Sequence, residues 1–363
     1  MALWKKNEVK VDIASYMHYI RGVKKVGKTT LFRDLVSHIS NGEMDKGLLI
    51  SLGDEDGYKA LDGLMVATAS DWSEFVEIVD ELVENPEENE FKFIALDTVD
   101  ELFNIATEEV FRIHKRKKGE VCESLNSALG GYGAGRAKVK ELVREQVARL
   151  KVGYGLYCIG HTKLRDVNEK GMNEAYQQLT TSLPFDFDSV IADKADIIAT
   201  ISIDKDIVDI QEIANGKDTK RVGSIGGVTR WIHFRDDNFN VDCGARFENI
   251  VDKVELSAEN YIKAIEDAIR SASGKSDTEI KTKVKQEEQE RLEAVKELAD
   301  KSKEIDIDEN KKLAESIQEK LPKASAEVKK VFTAKLKEIG MTSLKEYAEV
   351  KTKDLKDAVA LLG

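Results

Sequence analysis

The chain has 363 residues, 34% of them charged, and a formal net charge of −12 at pH 7, which suits one α/β core with an appended module and excludes a protein that binds nucleic acid by positive charge over its whole surface. Three widely separated cysteines without C-x2-C or histidine spacing exclude a disulfide framework and a zinc site. No apolar run is long enough to span a bilayer and the N-terminal "MALWKKNEVKVD" has no signal-peptide core, so we expect a cytoplasmic protein without a membrane partner.

The first predicted elements are a strand, a loop and a helix. "SYMHYIRG" carries four apolar or β-prone residues and predicts a short buried strand. The following "GVKKVGKTT" fits G-x4-G-K-[ST], the pattern of a phosphate-binding loop. "TTLFRDLVSHIS" then places four aliphatic residues on one helical face and ends near Asn41 and Gly42, a helix stop. This order of elements is the one that a phosphate loop requires.

The loop predicts a nucleotide site that binds ATP with Mg²⁺. Lys28 would reach the β- and γ-phosphates and the Thr29 hydroxyl would ligate Mg²⁺. Gly22 and Gly27 would let the backbone approach the phosphates. Lys24 and Lys25 are either solvated loop side chains or additional positive charge beside the nucleotide. The predicted nucleotide-binding residues are Gly22, Val23, Lys24, Lys25, Val26, Gly27, Lys28, Thr29 and Thr30.

The next predicted strand ends in an acidic cluster. "GLLISLGDEDGYKALDGL" contains an apolar run, Leu48 to Leu52, followed by three carboxylates. A carboxylate at the carboxyl end of the strand next to the phosphate loop can activate a water for attack on the γ-phosphate. Glu55 is the preferred catalytic base and Asp54 the second choice. The alternative is a polar turn that happens to be acidic.

Besides the Thr29 hydroxyl, the metal is expected to need a carboxylate at the end of a neighbouring parallel strand. In "FKFIALDTVDEL" the apolar run from Phe93 to Leu96 leads to Asp97, which is the predicted second metal residue. The sequence that follows, "DTVDELFNIATEEVF", is helical in pattern, so Asp-Thr is also a plausible helix cap. Both roles are compatible in one residue.

The fourth predicted strand follows an amphipathic helix over "AKVKELVREQVARLKV". In "YGLYCIGHTKLR" the residues from Leu156 to Ile159 are apolar and His161 stands where the strand would end. A polar residue at that place can contact the γ-phosphate and signal its presence to the loop beyond. His161 is therefore the candidate γ-phosphate sensor, with a structural histidine as the alternative. A fifth strand is predicted from Ala195 to Ile203.

The order of "GVKKVGKTT", "LISLGDED", "FIALDT" and "YCIGHTK" resembles a RecA-like P-loop ATPase core, over roughly residues 10 to 250. More closely it resembles the phage-encoded nucleotide-binding proteins of that superfamily, which include single-strand annealing and recombination ATPases. The resemblance implies an α/β fold with a mostly parallel sheet, ATP hydrolysis, and subunits that share a nucleotide between neighbours. It also implies single-stranded DNA binding by loops after the second and fourth motifs. His161 departs from the glutamine of bacterial RecA.

Two segments are candidates for those DNA-binding loops. The first, "FRIHKRKKGE", is a basic block whose alternative interpretation is a solvated helix end with cations near its C-terminus. The Gly-rich "LNSALGGYGAGRAK" follows it and offers an aromatic for base stacking and an arginine for phosphate. The predicted DNA-binding residues are Arg112, Lys115, Arg116, Lys117, Lys118, Tyr132 and Arg136.

The second candidate loop is "LRDVNEKGMNEAYQQLTTSLPFDFDSV". A loop of this length without secondary structure in a compact domain is usually functional. Its aromatic residues would either stack on bases or pack the loop against the core. Its candidate residues are Arg165, Lys170, Tyr176, Phe185 and Phe187.

Two arginines close the predicted core, Arg235 and Arg246 in "WIHFRDDNFNVDCGARFENI". An arginine supplied by a neighbouring subunit can stabilise charge on a transferred phosphoryl group. Arg246 is the candidate for this catalytic role, and a structural salt bridge is its alternative.

The composition changes after about residue 255, which predicts an ATPase core over 1–255, a helical linker region over 256–321 and a small helical module over 322–363. "SAENYIKAIEDAI" predicts one helix, "SASGKSDTEIKTK" a linker, and Lys281 to Leu321 a long exposed helix that Pro322 ends. The remaining sequence predicts a helix to Gly340 and then two short helices. The module would recruit a single-stranded-DNA-binding or replication partner, contact DNA through its lysines, or mediate assembly.

Together these features predict an ATP-hydrolysing phage recombination protein of the host cytoplasm that binds single-stranded DNA, promotes annealing or recombination, and self-associates into an oligomer or filament. The alternative is a nucleotide-dependent assembly switch that binds protein partners and no DNA. A small-molecule kinase is disfavoured, because the sequence shows no pattern of an acceptor-binding lid.

Overall fold

The computed structural model describes residues 4, 6–168, 174–215 and 218–362. Its strands are β1 (His18–Gly22), β2 (Gly47–Leu52), β3 (Met65–Ala69), β4 (Phe93–Asp97), β5 (Gly155–Val167), β6 (Tyr176–Thr181), β7 (Ile197–Asn215), β8 (Asp218–His233), β9 (Gly244–Ala245) and β10 (Lys253–Glu255). Its α-helices are α1 (Lys28–Ile39), α2 (Trp72–Glu84), α3 (Val99–Lys118), α4 (Ala134–Gly153), α5 (Phe185–Ala192), α6 (Ala258–Ser273), α7 (Asp277–Lys303), α8 (Ile307–Lys320), α9 (Ala326–Glu338) and α10 (Thr352–Ala360).

A single sheet organises the first 255 residues, in the order β10-β8-β7-β1-β5-β4-β2-β3. The pairs from β7 to β3 are parallel, whereas β8 and β10 are antiparallel. The central strands β1, β2 and β4 are buried along their whole length because their apolar runs face helices on both sides. The predicted α/β fold with a mostly parallel sheet and C-terminal helices is confirmed.

The strand order corrects two expectations about neighbours. β1 lies between β5 and β7, so β4, which carries Asp97, is not adjacent to the strand of the phosphate loop. β2, which precedes Glu55, lies one strand further out, beyond β4. The predictions followed chain order, but each βαβ crossover can skip a position, and the later β5 occupies the place beside β1.

Two apolar layers cover the sheet. Successive residues of β1 point to opposite faces, so Tyr19 belongs to one layer and Ile20 to the other. The first layer includes core residues of α2, α3, α4 and α5, and the second includes those of α1 and α6. The change of side between α1 and the helices that follow puts the carboxyl end of β1 at a topological switch point, where ligands of such sheets bind.

Antiparallel hairpins form in the second candidate loop and after the predicted fifth strand. β5 continues past His161 to Val167 and pairs with β6, so the described part of the second candidate loop is a hairpin followed by α5. Lys170 lies outside the described residues. β7 extends well beyond the predicted end at Ile203 and pairs with β8. These ladders include polar pairs such as Lys163 with Thr180 and Asp204 with Thr229, so continuous apolar runs do not mark them.

The C-terminal third is more closely joined to the core than its composition suggests. α6 contributes Tyr261 and Ile265 to the second apolar layer, and only residues 274–276 separate it from α7. The side chain of Glu287 in α7 is buried and accepts hydrogen bonds from the backbone N–H groups of Val11 and Asp12, each at 3.0 Å. The predicted linker is therefore mostly helix, and α7 packs on the N-terminal segment.

The long helix predicted over 281–321 is two helices. α7 ends at Lys303, and α8 begins after Asp306, whose side chain accepts from Glu309 N at 2.9 Å and caps it. α8, α9 and α10 then pack around a separate small core that includes Ile317, Phe332 and Leu355. Among the helices of the described residues, none has the length and apolarity to cross a membrane.

Candidate nucleotide-binding site

The loop between β1 and α1 has the backbone geometry of a turn that glycine allows. Gly27, directly before α1, has φ +111°, in the left-handed region. A Cβ on Gly22 would meet Val26 Cγ1 at 2.8 Å and Ile201 Cβ at 3.3 Å, so a larger residue would displace the loop. Because Gly27 brings no side chain to the start of α1, the first N–H groups of that helix are left for an anion.

Lys28 is folded back over this loop. Its ammonium donates hydrogen bonds to the carbonyl oxygens of Gly22 at 2.9 Å and Val23 at 3.0 Å. The residue is buried, and burial lowers its pKa to about 8 although Asp97, Asp100 and Glu55 act in the opposite direction. An anion entering the loop would compensate the burial of this charge.

Thr29 of α1 and Asp97 of β4 meet although β4 is not adjacent to β1, the strand before the phosphate loop. The Thr29 hydroxyl donates to Asp97 Oδ2 at 2.8 Å. Burial raises the pKa of Asp97, and the hydrogen bond from Thr29 opposes that rise. Among the described residues no three His, Cys, Asp or Glu side chains are grouped to hold a metal ion by themselves. The pair fits Mg²⁺, which is bound by one or two protein oxygens together with substrate phosphates and water.

A cavity of about 300 Å³ opens over the loop, Lys28 and Asp97. Glu55 lines it, with its backbone held by two hydrogen bonds: its N–H donates to Leu52 O at 3.2 Å, and the Ser51 hydroxyl donates to its carbonyl oxygen at 2.6 Å. Asp54 is exposed and does not line the cavity, whereas Asp56 does. The predicted residues that line it are Lys24, Lys25, Gly27, Lys28, Thr29, Thr30, Glu55, Asp97 and His161.

His161 lines the same cavity and contacts a carboxylate that sequence reasoning did not select. Its backbone N–H donates to Asp100 Oδ2 at 2.9 Å, and its Nδ1 lies 3.4 Å from the same oxygen. Ser182, at the base of the β5–β6 hairpin, also donates from its hydroxyl to Asp100. Burial raises the pKa of Asp100, but these hydrogen bonds outweigh it and the pKa is lowered. The available signal was an aspartate in the first turn of the helix after Asp97.

Arg246 lies away from the cavity and 62% of its side chain is exposed. Its Nε is 3.4 Å from Asp196 Oδ1, and its Nη2 donates to the carbonyl oxygen of Asp193 at 3.3 Å. Within this chain it therefore has surface ion-pair and backbone contacts. Arg235 donates to the carbonyl oxygen of Phe247 at 2.6 Å.

The predicted basic block forms the last turns of α3 and is not a loop. Both of its arginines have carboxylate partners: Arg112 Nη1 is 3.1 Å from Asp71 Oδ2, and Arg116 Nη2 is 2.6 Å from Glu109 Oε1. Lys115, Lys117 and Lys118 have no ion pair with a carboxylate among the residues that the structure describes. The free cations of the block are therefore its lysines.

The other predicted DNA contacts divide into packed and exposed side chains. Arg136 Nε donates to Asp186 Oδ2 at 3.0 Å, and its guanidinium lies 4.6 Å from the centre of the Phe187 ring, which stacks on Phe103. Arg165 lies over Phe185 at 4.3 Å. Tyr132, in the Gly-rich segment, is fully exposed. Phe187 thus packs in the core, whereas Phe185 is exposed over 61% of its surface although Arg165 lies over its ring, and Tyr132 is fully exposed.

The chain is similar to a known protein family. A family model described as an AAA domain matches residues 14–233, which is more than half of the chain and runs from β1 to the end of β8. The matched range contains the phosphate loop, Glu55, Asp97 and His161. No curated protein matches the chain.

Proposed function

The chain belongs to the AAA domain family, and from that premise we propose that it binds ATP with Mg²⁺ and hydrolyses the γ-phosphate in the cavity over the phosphate loop. The observation that carries the proposal is the 2.8 Å hydrogen bond between Thr29 and Asp97, which brings two predicted metal residues from separate motifs to one point. Lys28 is within the same cavity, beside the start of α1. A phosphate loop, a hydroxyl and a carboxylate are the parts that nucleotide hydrolysis needs.

Each residue has a separate task in this mechanism. Lys28 would exchange its bonds to the carbonyl oxygens of Gly22 and Val23 for the phosphates. Thr29 and Asp97 would hold Mg²⁺, which supplies positive charge against the phosphate oxygens. Glu55 would accept a proton from the attacking water, because it lines the cavity and its backbone is anchored to β2. His161 and Asp100 would transmit the state of the cavity to the β5–β6 hairpin through Ser182.

The finer proposal is that the chain is a RecA-like ATPase of phage DNA recombination. It would bind single-stranded DNA, promote annealing or recombination, and assemble into an oligomer in the host cytoplasm. The lysines of α3 without carboxylate partners and the exposed Tyr132 support DNA contact. The exposed Arg246 supports self-association, since it is available to reach the cavity of an adjacent copy.

A second candidate is an ATP-dependent assembly switch that binds proteins and no DNA. The ion pairs of Arg112, Arg116 and Arg136 favour it, because these side chains would have to leave carboxylates before they contact phosphates. In either case the small helical module would dock a further protein, such as a replication or single-stranded-DNA-binding protein.

The test is ATP hydrolysis by the purified chain with and without single-stranded DNA, with Lys28→Ala as the blank and Lys24→Ala as the matched lysine control. We expect Lys28-dependent hydrolysis that single-stranded DNA stimulates. Hydrolysis that depends on Lys28 but is indifferent to DNA would favour the protein-binding switch. Hydrolysis that survives in Lys28→Ala would remove the ATPase proposal itself.

A further inference from the structure

A cavity of about 410 Å³ lies where the last turn of α3 meets the C-terminal module. Lys117 of α3 and Lys320 of α8 line it together with Lys323 and the start of α9 at Ser325 and Val328. The Ser325 hydroxyl donates to the backbone carbonyl oxygen of Arg116 at 3.3 Å, which joins the module to the core at this point. The two parts of the chain therefore build this cavity together.

Three lysines line the cavity, and none of the carboxylates of the described residues does. Lys117 and Lys320 have no ion pair among the described residues, and the exposed Lys323 pairs only with Glu319 of its own helical segment at 3.3 Å. Burial lowers the pKa of Lys117, and the neighbouring Lys138, Lys320 and Arg116 lower it further. Glu141, which pairs with Lys138, acts in the opposite direction but does not reverse the shift. The lysines thus repel one another, and an anion placed among them would relieve that repulsion.

Helix ends explain the individual lysines but not their convergence. Lys117 and Lys320 each lie in the last turn of a helix, where a cation interacts favourably with the helix dipole. That effect requires no second lysine from another part of the chain. The start of α9 adds the positive end of a further helix to the same cavity.

We propose that this cavity, named the α3–α8 lysine site after Lys117 and Lys320, binds the phosphate backbone of single-stranded nucleic acid. The inference rests on the proposed function and narrows its DNA contact from the whole basic block to lysines of the core and the module. Lysine offers a compact positive charge and no planar fork for reading bases, so the contact is independent of sequence and sensitive to salt. The exposed Lys115 and Lys118 extend the positive surface along α3.

The site also gives α3 a mechanical role. Residue Thr98, which caps the start of α3, lines the nucleotide cavity, and Lys117 lies 19 residues later on the same helix. That separation is roughly 28 Å along the helix axis at the α-helical rise. Nucleic acid held by Lys117 and nucleotide held near Thr98 would therefore act on opposite ends of one rigid element.

The experiment measures fluorescence anisotropy of a labelled oligothymidylate over a series of salt concentrations. The variants are Lys117→Glu, Lys320→Glu and the double change, with Lys345→Glu, an exposed lysine of the module outside the cavity, as the matched control. We expect about tenfold weaker binding for the double change at low salt. The slope of log affinity against log salt should become shallower by about 0.7 for each phosphate that the variant no longer neutralises. The control should stay within twofold of the unchanged chain.

Lys117→Gln and Lys320→Gln protect the test against misfolding, since they remove charge without introducing repulsion and should reduce the slope in the same direction. Unchanged affinity and slope in the double variant, or a failure of the unchanged chain to bind the oligonucleotide, would overturn the inference. So would equal displacement by polyglutamate at matched charge. ATP hydrolysis is measured in the same preparations. If the chain hydrolyses ATP but its oligonucleotide affinity does not change with these substitutions, only this inference is wrong. If oligonucleotide binding depends on the lysines but ATP is not hydrolysed, only the ATPase proposal is wrong.

Discussion

The nucleotide cavity and the α3–α8 lysine site lie at opposite ends of α3 and are built on different principles. The first is assembled from the ends of parallel strands, so that short loops bring Lys28, Thr29, Glu55, Asp97 and His161 together. The second is assembled from helix ends that are distant in sequence and joined by a few polar contacts. At the carboxyl ends of the strands, backbone geometry therefore positions the reactive side chains. At the helix junction, the packing of the module on the core positions the charged side chains.

The largest expected effect falls on the nucleotide cavity. Lys28→Ala removes the ammonium that would contact the phosphates, and we expect a loss of roughly 1,000-fold in the rate constant for ATP hydrolysis. Lys24→Ala, which alters an exposed lysine that lines the same cavity, should change the rate only a few-fold. A steady-state phosphate-release assay distinguishes the two. Similar losses in both variants would mean that the nucleotide cavity depends on its total positive charge, as proposed for the α3–α8 lysine site. The two sites would then not differ in how they bind phosphate.

The adjacent carboxylates Glu55 and Asp54 give a second test of the nucleotide cavity, with a smaller expected change in rate. Glu55→Gln should lower kcat by about 100-fold, because it removes the proposed base while keeping its shape. Asp54→Asn, a change at the adjacent exposed residue, should leave kcat within twofold. Nucleotide binding, followed by a fluorescent ATP analogue, should persist in both variants. If Asp54→Asn produced the larger loss, the catalytic water would lie outside the described cavity.

Burial of Lys28 predicts a pH-dependent stability. The pKa of Lys28 is lowered by burial from 10.5 to about 8. Between these values the unfolded chain keeps the proton that the folded chain has lost, so this residue makes the free energy of unfolding rise with pH. Relative to Lys28→Met, the unchanged chain should gain roughly 1–3 kcal/mol between pH 7 and 10.5, at about 1.4 kcal/mol per pKa unit. Denaturant melts of both proteins across that range measure it, and parallel curves would show that Lys28 is not desolvated.

The smallest effect is expected where the module docks on the core. Lys353 of α10 donates to Asp80 of α2 at 3.0 Å and also contacts Glu84. Lys353→Ala should reduce the free energy of unfolding by about 1 kcal/mol, because these contacts are partly exposed. The rate of ATP hydrolysis without DNA should be the same in Lys353→Ala as in the unchanged chain. Lys356→Ala, which alters an exposed lysine of the same helix, is the control. A large fall in hydrolysis would show that the module supports the nucleotide cavity directly.

The two regions also differ in how far their sequence predicts them. β1, the loop and α1 are readable because the motif, the apolar run and the helical face are local and contiguous. The insertion of β5 between β1 and β4 was not readable, because strand order depends on pairing between residues far apart in the chain, such as His18 with Tyr157 and Phe93 with Gly155. Asp100 was missed because its role depends on His161 and Ser182, which reach it only through the fold.

In the C-terminal third the helices were predicted but their boundaries and partners were not. Asp306 offered a cap signal inside the stretch taken as one long helix, and its glutamate three residues later strengthened that signal. Nothing local marks Glu287 as buried, because its partners are backbone groups of Val11 and Asp12 at the other end of the chain. The charge composition indicated an exposed helix, but the hydrogen bonds of Glu287 to Val11 and Asp12 hold α7 against the N-terminal segment.

The most direct measurement of the central claim combines binding and single-turnover hydrolysis of radiolabelled ATP with Mg²⁺ in the unchanged chain and in Thr29→Ala. This variant loses the hydroxyl that contacts Asp97 and keeps Lys28 and the loop glycines. We expect the unchanged chain to release γ-phosphate and Thr29→Ala to release it far more slowly. A higher Mg²⁺ concentration should partly restore the rate of release in Thr29→Ala. Equal phosphate release by both proteins at every Mg²⁺ concentration would contradict it.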